Sequence, residues 1–151
     1  MALKTFAYAT FMSAVLTGVA LSAPVAEGGR KFTTELTGEA EVNAQGVPNQ
    51  GDLDGTGTAQ VTLNPGQGRV CWDITVSGIA APTRGHIHEA PTGQNGAIAV
   101  GFFEANNVAL SGCTDVDRAQ IKEIIKRPQD YYVNIHNPEF PGGALRGQLS
   151  K

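Results

Sequence analysis

Hydrophobic and polar residues alternate one by one along most of this chain, a period of two that indicates β-strands. In KFTTELTGEAEV, apolar or small side chains recur at every second position, and charged residues fall mostly between them. The segments TAQVTL and RVCWDITVSGI repeat the pattern, and AIAVGFF, YYVNIH and GALRGQL follow later in the chain. Segments rich in Gly, Asn, Asp and Pro separate these runs and indicate turns and loops. The pattern predicts seven or eight short strands.

One segment departs from this alternation. Thr114 and Asp117 resemble a capping box. Four apolar residues of this segment have the spacing of one helix face; they are Val116, Ile121, Ile124 and Ile125. Pro128 ends the segment. The sequence therefore predicts an all-β domain with one short helix, built as a β-sandwich or a flattened barrel.

The N-terminal segment has a different composition. Lys4 precedes a largely apolar run from about residue 6 to residue 21, and small residues follow it, which is the layout of a secretory signal peptide. We predict a signal peptide over residues 1–23, cut between about residues 22 and 26, and a domain over residues 30–151. The apolar run is short and interrupted for a membrane span, so we expect no membrane span after the signal is removed. The expected location is secreted or periplasmic.

Charge and cysteine content narrow the function classes. The formal net charge is −3 at pH 7, with 11 Lys and Arg against 14 Asp and Glu, so the chain has no basic surface suited to nucleic acid. Cys71 and Cys113 are the two cysteines, and in an exported protein a single pair predicts a disulfide. We expect it to join the strand RVCWDI to a loop before the helix. The alternative is two buried free thiols.

The three histidines fall in two of the predicted strands. His86 and His88 are two residues apart in RGHIHE, so they project from one face while Ile87 faces the core. In YYVNIH the apolar residues Val133 and Ile135 are expected to face the core, so Asn134 and His136 project from the opposite face. If the two strands are neighbours, the three imidazoles converge.

A convergent group of three imidazoles would suit copper or zinc, with Glu89 or Asn134 as hydrogen-bond partners of the ligands. The alternative is that the histidines are polar-face residues without a metal. Arg146 in LRGQL shares the polar face, where it either pairs with Glu139 or Glu89 or attracts a small anion.

The segments VCWDITVSGI, GHIHEAPTGQNGAIAV, SGC and YYVNIHNPEFPGGALRGQL resemble the CHRD domain, which occurs in chordin and in small exported bacterial proteins. The similarity runs over nearly the whole predicted domain. It implies an immunoglobulin-like or related β-sandwich and an extracytoplasmic location, and it supplies no established reaction.

The shorter segment GHIHE is similar to the strand of copper/zinc superoxide dismutases that supplies two copper ligands. This similarity matches His86 and His88 to the paired ligands, His136 to a ligand on a late strand, and Arg146 to the anion-guiding arginine. It implies a Greek-key fold. The chain departs from that pattern because it has three histidines where the copper site has four, and it lacks the zinc loop.

Two functions follow from these residues. The first is an exported binding module that holds a divalent metal through three histidines and recognises an extracytoplasmic protein, a surface or a small anion. The second is a copper-dependent redox enzyme of the superoxide dismutase type, with Arg146 as its catalytic arginine. The sequence leaves both open.

Overall fold

The computed structural model describes residues 28–151. Within that range the chain forms eight β-strands, one α-helix and one 3-10 turn. The elements are β1 (Arg30–Thr37), β2 (Thr56–Asn64), β3 (Arg69–Ser77), β4 (Arg84–Glu89), β5 (Ala97–Phe103), β6 (Ser111–Asp115), α1 (Arg118–Lys126), the 3-10 turn (Pro128–Asp130), β7 (Tyr131–His136) and β8 (Leu145–Gln148). The predicted signal peptide at 1–23 lies outside the described residues. The helix of the described part is too short to cross a membrane.

The strands form one antiparallel sheet in the order β5-β4-β7-β8-β1-β2-β3-β6. The first and last strands of the domain meet in the middle of this order, where Thr37 pairs with Arg146. The sheet curls until its two end strands, β5 and β6, approach each other, so it is nearly closed into a barrel-like sandwich. The predicted all-β fold with one short helix is confirmed.

The core consists of the apolar positions that alternate along the strands. Trp72 on β3 stacks on Phe102 of β5 with ring centroids 4.9 Å apart, which links strands from opposite ends of the sheet order. Side chains that are fully buried come from six of the strands and from the helix; they include Leu36, Val61, Leu63, Val70, Ile87, Ile121, Ile124, Val133, Ile135 and Leu145. Removal of this apolar surface from water is the main force that holds the sheet closed.

The helix lies close to the gap between the end strands. Its N-cap is Asp117, whose side chain accepts hydrogen bonds from the backbone N–H groups of Ala119 and Gln120. The predicted capping role of Thr114 is wrong, because that residue still belongs to β6 and pairs with Val70. The Gln120 side chain donates to the Ala99 carbonyl at 2.6 Å, so the helix satisfies one acceptor on β5.

The predicted disulfide between Cys71 and Cys113 is confirmed. Cys113 lies in strand β6, however, and not in a loop as expected. The two cysteines are direct partners in the β3–β6 ladder. The short segment SGCTD pairs in register with β3, and this tertiary pairing decides its conformation because its own sequence carries little strand pattern. The disulfide therefore fastens an end strand to its neighbour.

Loops cover the face of β4, β7 and β8 that points away from the apolar core. The Asp52 N–H donates to the Ala144 carbonyl at 2.9 Å, and the Asn95 side chain donates to the Val42 carbonyl at 3.0 Å. These bonds fix the loop after β1 to the loops after β4 and β7. The result is a second, polar interior layer, which includes Glu41, His86, Asn134, His136 and Arg146.

Candidate metal centre

Strand pairing brings the three histidines together. β4 and β7 are neighbours in the sheet, with His86 opposite Asn134 and Arg84 opposite His136. His86 and His136 are therefore diagonal neighbours on one face, and Ile87 lies buried on the other. The predicted clustering of the histidines is confirmed.

The cluster is compact and largely shielded from water. One ring nitrogen of each histidine lies within 4.8 Å of one from each of the other two. His86 Nδ1 and His136 Nε2 are 3.2 Å apart. These two side chains are 2% and 6% exposed, and His88 is half-buried. A site at this depth excludes most water, so interactions between charges within it are strong.

Each imidazole directs one nitrogen at an oxygen acceptor. His86 Nε2 lies 3.0 Å from a carboxylate oxygen of Glu104, and His88 Nδ1 lies 3.0 Å from the Gly96 carbonyl. His136 Nδ1 lies 3.1 Å from the Pro141 carbonyl. Because carbonyl and carboxylate oxygens only accept, these three ring nitrogens carry the protons and donate.

This assignment leaves the other nitrogen of each neutral ring with an unprotonated lone pair. The lone pairs of His86 Nδ1 and His136 Nε2 then face each other and cannot bond to each other. His88 Nε2 is buried and receives no hydrogen bond from the residues in the range 28–151. Two nitrogens that ligate one tetrahedral zinc ion are about 3.3 Å apart, given a zinc–nitrogen distance of about 2.0 Å. The observed separation of 3.2 Å fits that geometry.

The surroundings favour the neutral form of these rings. Burial, together with the neighbouring His86, lowers the pKa of His136 to about 4. Burial also lowers the pKa of His88, although its hydrogen bond to the Gly96 carbonyl opposes the effect. Neutral imidazole is the form that binds metal ions, so neither histidine has to lose a proton first at neutral pH.

The two predicted hydrogen-bond partners of the histidines lie elsewhere. Glu89 is exposed and forms an ion pair with Arg127 at 3.8 Å, since it follows His88 directly and so points from the opposite face of the strand. Asn134 shares the histidine face, but its amide donates to Glu41 and to the Leu145 carbonyl. Glu104 holds His86 instead. Only the β4–β5 pairing brings this residue near, and no local sequence pattern signals it.

The Arg146 side chain is buried, and its guanidinium is held by hydrogen bonds to neighbouring loops. Its guanidinium donates to the Asn95 side chain at 3.2 Å and to the Gln94 carbonyl at 2.7 Å. It also lies over the Tyr132 ring, 3.4 Å from the centroid, and His88 is stacked with the same ring. Tyr132 on β7 therefore stands between Arg146 on β8 and His88 on β4. The expected pairing of Arg146 with Glu139 or Glu89 is absent from the described part of the chain.

A match to a known protein family covers most of the described chain. The family model described as "CHRD domain" matches residues 32–149. Neither the curated proteins nor the solved structures give a match.

Proposed function

This chain belongs to the CHRD domain family, and from that membership and the geometry of its histidines we propose that it is an exported binding module that holds a divalent metal ion. The ligands are His86, His88 and His136. The bound partner is an extracytoplasmic protein, a surface or a small anion. The metal fixes the part of the sheet, β4 and β7, on which the surrounding loops pack.

One observation carries the metal proposal, namely the outward hydrogen bonding of all three rings. Metal-binding histidines usually donate their second ring N–H to a carboxylate or a backbone carbonyl, which fixes the ring and makes the other nitrogen more basic. Here the acceptors are Glu104 and the carbonyls of Gly96 and Pro141. A cation between the remaining nitrogens would relieve the repulsion of their lone pairs.

Zinc and copper are the ions that suit this donor set. Three neutral imidazoles form a borderline-soft nitrogen site, and Cu(II) generally binds such sites more tightly than Zn(II). When bound, either ion has a further coordination position for water or for a donor from a partner. Glu104, hydrogen-bonded to His86, orients that ring toward the ion and increases its basicity.

Export is supported by the disulfide and by the N-terminal sequence. Cys71 and Cys113 form a disulfide. Disulfides persist in oxidising compartments and are rare in the cytosol. The apolar run before residue 23 has the signal-peptide layout. N-terminal sequencing of the protein recovered outside the cytoplasm tests this part. We expect a start between residues 23 and 27, and a start at Met1 would contradict export by cleavage.

Metal analysis of untagged protein tests the site. We expect about one copper or zinc ion per chain after loading and dialysis. Replacement of any one histidine by Ala should weaken binding by about a hundredfold or more, since one of three ligands is lost. Circular dichroism checks that the variants still fold. Equal metal content in wild type and His136→Ala would refute the three-histidine site.

Two glutamate variants form a matched pair, one at the end of β4 and the other directly after β5. Glu104→Gln should weaken metal binding by about 10- to 100-fold, because an amide oxygen is a poorer acceptor for the His86 N–H. Glu89→Gln should leave it unchanged, because Glu89 pairs with Arg127 on the surface. Metal binding that is weakened more by Glu89→Gln than by Glu104→Gln would show that the wrong carboxylate is assigned to the site.

The copper dismutase alternative has a direct test. Copper-loaded protein is assayed for superoxide dismutation, with Arg146→Gln beside it. The position of Arg146 behind Tyr132 leads us to expect no activity above that of free copper. Activity that depends on both His86 and Arg146 would favour the enzyme over the binding module.

A further inference from the structure

A cavity lies beside the histidine cluster, between the loop after β1 and the loop after β7. Its volume is about 400 Å³. The walls combine apolar side chains with carboxylates and amides; they include Glu41, Val42, Gln50, Asn95, Glu139 and Phe140. A space of this size accommodates a small organic molecule and is far larger than a bare metal ion.

Glu41 is the unusual member of this wall. Its side chain is 4% exposed, yet no cationic group in the range 28–151 comes within ion-pair distance of its carboxylate. The Asn134 amide donates to one of its oxygens. Gly143 lies against the same oxygen, and a β-carbon at that position would approach it to 2.5 Å. A buried carboxylate without an adjacent cation is costly, and such groups concentrate at functional sites.

The charges around the cavity all have one sign. Glu139 is exposed at the rim, and neither Lys nor Arg is among the wall residues. The positive charge of Arg146 acts on Glu41, but the Arg146 guanidinium donates its hydrogen bonds to Asn95 and to backbone carbonyls. Phe140, Val42 and Pro141 supply apolar surface beside the two carboxylates. An aromatic ring next to carboxylates suits an organic cation.

We propose that this cavity binds an alkylammonium group, with Glu41 as its buried counterion and Glu139 at the entrance. The ammonium would donate to the Glu41 carboxylate, and the alkyl part would pack on Phe140 and Val42. The group can come from a free amine or from a lysine side chain of a protein. This site does not depend on the metal proposed for the histidines, since none of the three lines the cavity.

Protonation of Glu41 gives the proposal a measurable signature. Burial raises the pKa of Glu41 to about 7, against the opposing influence of Arg146, the Asn134 amide and the Val42 N–H. Tyr132 on β7 and Glu139 on the opposite loop are the other titratable groups nearby. Near pH 7 part of the protein therefore carries a neutral Glu41. A bound cation would favour the carboxylate and release protons.

Isothermal titration calorimetry with n-butylammonium at pH 7 tests the site, in two buffers of different ionisation enthalpy. We expect binding accompanied by release of about half a proton per chain. Neutral 1-pentanol and the anion butanoate should bind at least about tenfold more weakly. Absence of proton release, or equal binding of the alcohol, would overturn the proposal.

Charge variants locate the bound cation. Glu41→Gln should weaken n-butylammonium binding by about tenfold or more, and Glu139→Gln by about two- to threefold, because the rim carboxylate is solvated. Glu123→Gln on the surface of α1 is the matched control and should change nothing. Unchanged binding in folded Glu41→Gln would refute the assignment. If that variant does not fold, the proton release measured on the wild type tests the assignment of Glu41.

A blocked lysine distinguishes the two sources of the ammonium. Nα-acetyl-lysine methylamide should bind more tightly than n-butylammonium if a protein lysine is the natural occupant, because its backbone amides add hydrogen-bonding groups for polar wall residues such as Gln50. Equal or weaker binding of the blocked lysine assigns the cavity to free amines. Metal content measured on the same Glu41→Gln sample separates failure of this site from failure of the histidine site.

Discussion

The buried carboxyl of Glu41 should make the fold lose stability as pH rises. Its pKa is raised from the usual 4.5 to about 7, chiefly by burial. The folded protein therefore keeps this proton up to about pH 7, whereas the unfolded chain releases it near pH 4.5. The stabilisation from the neutral carboxyl is complete below pH 4.5 and is lost as pH rises through 7.

Replacement of Glu41 by Gln removes this loss, because an amide does not ionise. One pKa unit corresponds to 1.36 kcal/mol, so the shift amounts to about 3 kcal/mol at most. The Gln oxygen can still accept from Asn134, as the Glu oxygen does. We expect Glu41→Gln to match the wild type at pH 4 and to exceed its free energy of unfolding by about 2–3 kcal/mol at pH 8.

Urea unfolding of the two proteins at several pH values between 4 and 8 measures the effect. The difference between them isolates position 41, because the other titrating groups are common to both. Glu39→Gln, an exposed change in the same loop, is the matched control and should change the free energy of unfolding by less than about 0.5 kcal/mol. A Glu41→Gln variant that is less stable at pH 8, or a difference that is independent of pH, would refute the reasoning.

Three further predictions concern stability and covalent structure. The intact mass of the exported protein should lie two hydrogens below the reduced value because Cys71 and Cys113 are bonded, and two titratable thiols in the unreduced, denatured protein would contradict this. Gly143→Ala should destabilise the fold by about 3 kcal/mol in urea unfolding, since φ is 147° and a β-carbon would clash with a carboxylate oxygen; Gly142→Ala, which has open space, should cost less than about 0.5 kcal/mol. In metal-free protein, the stability of the wild type relative to His136→Gln should fall as pH falls from 6.5 toward 4, because the pKa of His136 is lowered to about 4 in the folded state and the unfolded chain protonates first. A difference in free energy of unfolding between the two proteins that stays constant over this pH range would contradict the role of His136.

The face of each strand could be read from the sequence, because side chains alternate whatever the strand pairs with. Because Ile87 and Ile135 were expected to face the core, the histidines beside them were predicted on the opposite face. Adjacency of β4 and β7 could not be read, because strand pairing is non-local. For the same reason Glu104 was missed, since it reaches His86 only through the β4–β5 ladder. The backbone carbonyls that hold the other two rings have no sequence signature.

The sequence also did not predict which polar residues are buried. Glu41 alternates with apolar neighbours and has the pattern of a solvent-facing residue. Its burial comes from the loops after β1 and β7, held by the bond from the Asp52 N–H to the Ala144 carbonyl. The helix prediction was wrong at its start because the β3–β6 pairing extends through Thr114. In each case a contact distant in sequence decided the local structure.

The pairing of β1 with β8 sets the order in which a growing chain can assemble. β1, β2 and β3 can pair as soon as they are synthesised, and β4 and β5 can form their own hairpin. The ladder between these two groups runs through β8, which is made last. A chain that ends before Leu145 would lack the strand whose backbone hydrogen bonds join the two groups. The barrel can therefore close only after β8 has been synthesised, when the first and last strands of the domain come together.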